Sequence, residues 1–275
     1  MPTPAVQRTI PLYQVDAFTD QPFAGNPAAV CVLEGAIPSD LMLRIAGEMN
    51  LSETAFVEPA GSDGVRRLRW FTPRGEVPLC GHATLGTSHV LLRELDEPSP
   101  IRFDSLSGVL TVNETPDGWL QMDFPADPPE PCPAPEGLLE ALGCPPGAPT
   151  LVSEKLWIVR MEEEGEVLGL EPDMTHLGRV DLGGNALGVS VTSPGIDEVD
   201  FVSRFFGPWV GVDEDPVTGM AHTVLGPYWM DELGREELLA RQVSGRRGEI
   251  RLGRREDRIL VSGQAVTILK GSLNL

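Results

Sequence analysis

Two short stretches of the sequence place a glutamate, a proline and a glycine ahead of a nearly uncharged helix. The stretches Glu76–Ala83 and Glu214–Ala221 share the pattern Glu-x-Pro-x-x-Gly-x-Ala. In each, a turn containing proline is predicted to deliver a glycine, Gly81 or Gly219, to the first turn of the helix. Glycine lets a ligand approach the backbone, and the free N–H groups and positive dipole end of a helix favour an anion. The two stretches therefore predict two sites for a negatively charged group.

Two such helix ends, facing each other across a pseudo-twofold axis, would grip a carboxylate and stabilise an enolate as it forms. That chemistry needs a base, and Glu53 lies in a short polar step between a predicted helix over residues 40–49 and a predicted strand over Thr54–Glu58. Partial burial at a cleft edge would raise the pKa of Glu53 toward the range in which a carboxylate carries protons. The alternatives are ordinary turn-to-helix junctions and a solvent-exposed loop carboxylate.

The elements that must position these residues follow from the spacing of apolar side chains. Helices are predicted over residues 40–49, 82–94 and 221–230, with a short one over 136–142, and the remaining apolar runs are predicted as strands. The helices over 82–94 and 221–230 carry little charge, which is typical of buried helices. One such helix among strands in each half, after the same motif, predicts a duplicated unit of about half the chain.

Composition argues against several classes of function. The 275 residues include 41 acidic and 21 basic ones, which give a formal charge of −20 spread along the chain. A field of this sign repels nucleic acids and anionic lipid surfaces, so neither partner is expected. No apolar run is long enough for a membrane helix, and residues 1–8 lack the features of a secretory signal, so a cytoplasmic location is expected. Hydrolase and nucleotide-binding glycine motifs do not occur either.

The cysteines and histidines give no pattern typical of a metal site. The four cysteines include no C-x-x-C pair, and reduced thiols are expected. Ligation of a metal by Cys80, His82 and His222 would follow no recognised ligand spacing. We therefore predict no metal.

Six motifs occur in order along both halves of the chain: Val15–Thr19, Phe23–Pro27, Leu51–Val57, Phe71–Pro73, Pro78–Thr84 and Glu214–Gly219. Taken together they resemble the PhzF-like (phenazine-biosynthesis isomerase) family of the diaminopimelate-epimerase-like superfamily. The resemblance implies an α+β fold of two pseudo-symmetric domains, each a barrel-like β-sheet wrapped around a central helix, with the active site in the cleft. It also implies a homodimer, a small anionic substrate and no cofactor. The domains are expected to cover residues 1–123 plus 264–275, and residues 124–263.

The resemblance implies that Glu53, in the Ser-Glu-Thr motif, is the catalytic acid. Gly81, His82 and Asp215 match other site positions of the family. His82 is expected to donate to the substrate or to hold Glu53, although a purely structural histidine is the alternative. Asp215 is expected to bind an amino or hydroxyl group of the substrate. The other residues expected to bind substrate or support the site are Asn26, Cys80, Gly219 and Met220.

Two departures from the family pattern narrow the function. Met220 stands where phenazine-forming members carry a serine, which removes a hydroxyl that would touch the substrate. Cys80 occupies the place of one catalytic thiol of the related two-thiol racemases, whereas Pro216 is expected to answer to the second thiol. Because a two-base racemase of that kind needs both thiols, Cys80 is expected to be a packing residue beside the helix end.

Three functions follow from these residues. The leading hypothesis is a cofactor-independent isomerase or epimerase that shifts a proton on a small carboxylate-bearing substrate through Glu53. A racemase that uses Cys80 as its base is a second enzymatic hypothesis. A non-catalytic binding or scaffold protein on the same fold is the third.

Overall fold

The computed structural model describes residues 9–275, and residues 1–8, over which no secretory signal is predicted, lie outside the described residues. Within this range, no helix has both the length and the apolar content that a membrane crossing requires. The α-helices are α1 (Ser39–Met49), α2 (Gly81–His89), α3 (Leu138–Leu142), α4 (Glu164–Leu168), α5 (Met174–Leu177) and α6 (Gly219–Leu233). The strands are β1 (Thr9–Ala17), β2 (Asn26–Val32), β3 (Glu53–Ala60), β4 (Val65–Thr72), β5 (Gly75–Val77), β6 (Ile101–Ser105), β7 (Gly108–Glu114), β8 (Leu120–Pro125), β9 (Glu130–Pro131), β10 (Thr150–Val152), β11 (Leu156–Arg160), β12 (Gly188–Pro194), β13 (Phe201–Gly207), β14 (Val212–Asp215), β15 (Glu237–Gln242), β16 (Gly248–Arg255), β17 (Arg258–Gly263) and β18 (Ala265–Asn274).

The described chain divides into two compact units. Unit 1 contains residues 9–23, Pro27–Met122 and Gln264–Leu275, and unit 2 contains Ala24–Asn26 and Asp123–Gly263. Each unit has its own apolar core, since the two clusters of buried side chains draw their members from one unit each. The domain limits predicted from the sequence, residues 1–123 plus 264–275 and residues 124–263, stay a prediction.

The strands of unit 1 follow an order of pairing that unit 2 repeats. In unit 1, β2 runs parallel to β3, β3 antiparallel to β4, and β4 parallel to β6, with β5 added to β4 and β7 to β6. In unit 2, β11, β12, β13 and β15 take the places of β2, β3, β4 and β6, with β14 added to β13 and β16 to β15. The last pairings, β7 with β8 and β16 with β17, also correspond. The predicted duplication is therefore visible strand by strand.

Helix α2 is the central element of unit 1 and contacts β1, β3 and β18. Seven of its nine residues are buried, including Thr84, Thr87 and Ser88. Each of these three hydroxyls donates to the backbone carbonyl four residues earlier, at 2.6–2.9 Å. A helix without a polar face can therefore be buried, because its polar side chains are satisfied by its own backbone.

Helix α6 has the same position in unit 2 and contacts β15, β16 and β17. Its residue Trp229 is buried, stacks on Phe201 and donates from Nε1 to Thr192 Oγ1 at 2.9 Å. The fold class predicted from the sequence, α+β with a central helix in each half, is confirmed. The boundaries differ from those predicted, because α6 runs from 219 to 233 and α2 continues into a π-helical turn over Val90–Glu94.

Equivalent pairings identify equivalent residues in the two units. Glu53 begins β3 and pairs with Ala28, and Gly188 begins β12 and pairs with Leu156. Unit 2 therefore has a glycine where unit 1 has Glu53. A Cβ atom at Gly188 would lie 2.5 Å from the carbonyl oxygen of Phe206 and 2.6 Å from the ring of Phe205.

Replacing Gly188 by alanine should lower the free energy of unfolding by about 2–4 kcal/mol, because backbone and a buried ring must move. Gly47 is the matched control, since it is exposed within α1 and a Cβ there would meet no described atom within 4 Å. Gly47→Ala should stabilise by about 0.5–1 kcal/mol. Denaturant unfolding measures both, and a Gly188→Ala protein as stable as the parent would contradict the close packing around Gly188.

Candidate active site

Glu53 is the first residue of β3, and its side chain points into unit 1 with 18% of its surface exposed. Its Oε2 atom is fully buried and receives no well-aligned hydrogen bond from any described residue. Buried carboxylate oxygens normally have such partners, so an incompletely satisfied one marks a place where a ligand group can bind or a proton can be taken up.

His82 and Cys80 lie against this carboxylate because both belong to the start of α2. Cys80 is the N-cap residue, and His82 is the second residue of the helix. His82 Nε2 is 3.2 Å from Glu53 Oε2, an ion-pair contact that does not have the geometry of a regular hydrogen bond. Cys80 Sγ is 3.5 Å from His82 Nδ1. The structure thus brings together three of the residues singled out in the sequence.

The three groups set one another's protonation. Burial raises the pKa of the Cys80 thiol, and the charge of Glu53 raises it further, so the thiol keeps its proton near neutral pH. Burial alone would lower the pKa of His82, but the Cys80 sulfur and the Glu53 carboxylate reverse this and raise the pKa of His82 well above its usual value. Since the thiol is neutral, the anion that holds this proton is Glu53.

The predicted direction of the Glu53 shift is wrong. Burial does act to raise the pKa of Glu53, as expected, but contacts with His82 and with the Cys80 thiol outweigh it and lower this pKa below the usual value. Glu53 and His82 therefore form an ion pair over the neutral range. The pair is lost as the pH falls through the lowered pKa of Glu53 or rises through the raised pKa of His82.

Gly81 and Gly219 begin α2 and α6, as the repeated motif predicts. The N-cap side chains, Cys80 and Thr218, form no capping hydrogen bond to their helices, and neither helix has an acidic residue in its first turn. The first N–H groups and the positive dipole end of each helix are therefore not neutralised by a carboxylate of their own first turn.

In unit 2, Asn26 and Asp215 meet at the start of α6. Asn26 Nδ2 donates to Asp215 Oδ1 and to the carbonyl of Val217, both at 2.9 Å, and Thr218 Oγ1 donates to Asp215 Oδ2 at 2.5 Å. Gln242 Nε2 donates to the backbone oxygen of Asp215 at 2.7 Å. Both carboxylate oxygens of Asp215 thus accept hydrogen bonds from protein groups, and its contact with a substrate stays a prediction.

Two members of this network were missed by sequence reasoning. Thr218 lies inside the repeated motif but at one of its variable positions, and Gln242 ends β15 with no motif around it. Gln242 also accepts the N–H of Thr218 at 2.8 Å, so it orients the N-cap of α6. A glutamine buried at the end of a strand is a signal for such a role, but only once the strand is known.

The position that answers to Cys80 in unit 2 is Thr218, because these two residues are the N-caps of α2 and α6. The prediction that Pro216 takes this place is wrong by two residues. By the same alignment, Met220 answers to His82. Unit 2 therefore has no ionisable side chain at any of the three positions that answer to Glu53, Cys80 and His82. Cys80 itself contacts His82 and Glu53, so it is more than the packing residue that was expected.

Glu53, Cys80 and His82 are also the described residues best placed to hold a metal ion, since one ligand atom of each lies within 4.8 Å of the others. His222 is not part of this group. Binding an ion there would require the loss of the thiol proton, which burial opposes, and would break the Glu53–His82 contact. The chemistry of the three groups fits an acid–base site better than a metal centre.

Replacing Glu53 by glutamine should lower the pKa of His82, because only Cys80 is then left to oppose the effect of burial. The matched control is Glu58→Gln, on the same strand, which should leave this pKa unchanged. Titration of the His82 ring by NMR measures both variants. A His82 pKa that is the same in the Glu53→Gln protein as in the parent would rule out the ion pair.

Comparison with known proteins shows the family of the chain. Residues 15–271 match the family model for phenazine biosynthesis-like proteins, PhzC-PhzF. An uncharacterized isomerase of Pseudomonas aeruginosa is 48% identical over 265 residues, covering 96% of this chain and 98% of the relative. A solved PhzF-family structure from Enterococcus faecalis is 40% identical and has a TM-score of 0.91, covering 98% of this chain and 100% of that chain.

A more distant structure shares the fold alone. A hydroxyproline epimerase from Agrobacterium vitis is 11% identical, with a TM-score of 0.60 over 98% of this chain and 93% of that chain. The motifs, the repeated architecture and the extent of the close matches lead to one conclusion: this chain belongs to the phenazine biosynthesis-like (PhzF-like) family and is an isomerase.

Proposed function

We propose that the protein shifts a proton on a small carboxylate-bearing substrate through Glu53, without a cofactor. The observation that carries this proposal is the buried, poorly satisfied Oε2 atom of Glu53 beside His82, at the uncapped start of α2. A base, a cation and free N–H donors at one place are the groups that proton abstraction next to a carbonyl requires.

The proposed reaction has two steps. The Glu53 carboxylate removes a proton from a carbon that lies between the substrate carboxylate and a C=C bond, so that the C–H bond breaks, an O–H bond forms on Glu53 and the electron pair moves into a conjugated dienolate. Protonated His82 and the N–H groups at the start of α2 stabilise the developing negative charge. Glu53 then returns the proton to the far carbon of the former C=C bond, so that its O–H bond breaks, a new C–H bond forms and the double bond shifts by one position. No electron is gained or lost, so neither an oxidant nor a reductant is needed.

A single base favours an isomerase over a two-base racemase. Inversion at one carbon by two bases needs a second group on the opposite face of the substrate, and unit 2 has Gly188 and Thr218 where unit 1 has Glu53 and Cys80. The raised pKa of Cys80 also makes this thiol a poor base at neutral pH. Removal of the proton and its return on the same face, to the far carbon of a conjugated double bond, fits one carboxylate.

Unit 2 has groups of its own that suit an anionic ligand. The uncapped start of α6 at Gly219 suits a carboxylate, and Asp215 with Asn26 suits an amino or hydroxyl group. Met220 offers no hydroxyl, so we propose a substrate that differs from that of phenazine-forming members. The homodimer and the cytoplasmic location stay predictions.

Exchange of substrate hydrogen with deuterium oxide tests the proposal. A panel of small amino, hydroxy and β,γ-unsaturated carboxylic acids would be incubated with the protein and followed by proton NMR and mass spectrometry. Glu53→Gln should reduce exchange of any turned-over acid by at least about 100-fold, because the proton carrier is lost. Glu58→Gln, on the same strand, should leave it unchanged.

The other two functions give different results in this experiment. If Cys80 were the base, exchange would persist in Glu53→Gln and stop in Cys80→Ala. If the protein were a non-catalytic binding protein, no acid of the panel would exchange with the parent or with any variant. Either result would contradict the role proposed for Glu53.

A further inference from the structure

The repeated motif contains a residue that the proposed reaction does not use. The glutamates that open it, Glu76 and Glu214, lie five residues before Gly81 and Gly219. Both are in short strands that lead into a central helix, and they have the same register: Glu76 pairs with Phe71 on β4, and Glu214 pairs with Phe206 on β13.

Each glutamate is held by an arginine through the same pairs of atoms. Arg69 Nε and Nη2 donate to Glu76 Oε1 and Oε2, both at 2.7 Å. Arg204 Nε and Nη2 donate to Glu214 Oε1 and Oε2, at 2.8 and 2.9 Å. Such two-point contacts fix the direction of both side chains, which a single charge contact does not.

Each arginine is also fixed from other sides. The Arg69 guanidinium lies 5.1 Å from the centre of the Phe71 ring, and that of Arg204 lies 5.0 Å from the Phe206 ring. Arg69 Nη2 further donates to Ser39 Oγ, at the start of α1.

The corresponding extra contacts of Arg204 are to the end of α4. Its Nη1 donates to the carbonyls of Val167 and Leu170, at 3.2 and 2.8 Å. Each arginine therefore ties the strand that carries the glutamate to an adjacent strand and to a neighbouring helix of the same unit.

Comparison of the two units shows which features were kept. The ion pair, the aromatic ring beneath it and the glycine at the helix start occur in both. The groups that carry chemistry differ, since Cys80 and His82 of unit 1 answer to Thr218 and Met220 of unit 2. The ion pair is present in both units although the reactive side chains differ. We therefore relate it to what the two units share, which is the placement of the helix start.

We propose that Glu76 and Glu214, each held by its arginine, are positioning residues that fix the turn delivering the first residues of α2 and α6. We call the two pairs, Arg69–Glu76 and Arg204–Glu214, the helix clamps. This role rests on the proposed function in one respect, namely that the helix starts bind the substrate. The placement of side chains at the starts of α2 and α6 can itself be measured without turnover of a substrate.

The histidines of the two helix starts report on this placement. His82 depends for its raised pKa on contacts with Cys80 and Glu53. His222, in the first turn and a half of α6, is fully buried, which lowers its pKa to about 4, and its Nδ1 lies 2.8 Å from the carbonyl oxygen of Thr218. If a clamp is released, the reporter of its own unit should move toward the usual value of histidine.

The test removes each clamp without changing the net charge. We expect Arg69→Met with Glu76→Gln to lower the pKa of His82 by at least about one unit, a tenfold change in proton affinity, and to leave His222 unchanged. Arg204→Met with Glu214→Gln should raise the pKa of His222 by a similar amount and leave His82 unchanged. NMR titration of the ring carbons follows both.

The matched control is the Arg66–Glu97 pair of unit 1, whose side chains are 16% and 25% exposed, compared with 18% and 24% for Arg69 and Glu76. Arg66→Met with Glu97→Gln should shift neither histidine. If a double variant does not fold, Glu76→Asp and Glu214→Asp retain the charge, withdraw the carboxylate and should give smaller shifts in the same directions.

The positioning role is overturned if the clamp variants fold and shift neither reporter, or if the control pair shifts them equally. Loss of hydrogen exchange in the substrate panel tests Glu53 and has no bearing on this result. A failure of the clamps and a failure of the proposed reaction are therefore told apart.

Discussion

Burying an ionised carboxylate costs roughly several kcal/mol unless a cation and hydrogen-bond donors replace the water that it loses. In unit 1 the replacement is incomplete: His82 gives Glu53 a cation at 3.2 Å, while the same carboxylate oxygen lacks a well-aligned hydrogen bond from the described residues. This contact requires β3 to begin next to the first turn of α2. The order of strands, the burial of α2 and the turn before Gly81 all serve to meet that requirement.

The duplicated architecture shows how one scaffold supports two kinds of helix start. Both units place a glycine at the head of a buried helix after an edge strand that carries a clamped glutamate. Unit 1 adds an acid, a thiol and an imidazole, whereas unit 2 places Gly188, Thr218 and Met220 at the same points. The first arrangement has groups that can transfer a proton, whereas the second has no acid or base at these three positions.

Much of the fold and part of the site could be predicted from local sequence. The repeated motif located both helix starts, and the lack of charge in the helices that follow indicated that they are buried. The far end of α6 was missed because it continues through Pro227 to Leu233, where its last turn carries Asp231 and Glu232. Two charges in a row resemble the end of a buried helix in a sequence read without its packing.

The electrostatics of the site could not be predicted in the same way. Whether the pKa of Glu53 rises or falls depends on contacts with residues almost thirty positions away, which outweigh the burial that was recognised. The roles of Arg69 and Arg204 also depend on cross-strand register, which no motif reveals. Contacts between residues far apart in the sequence thus decide whether the pKa of Glu53 is raised or lowered, although the motifs alone identify Glu53.

The central claim is that His82 holds the carboxylate of Glu53 ionised within the fold. Carbon-detected NMR titration of the Glu53 carboxyl group, in the parent protein and in His82→Asn, measures this directly. We predict that the pKa of Glu53 lies below the usual value for glutamate in the parent and rises above it in the variant, where burial is no longer opposed by the histidine. A pKa at or above the usual value in the parent, or one that is the same in both proteins, would contradict the account.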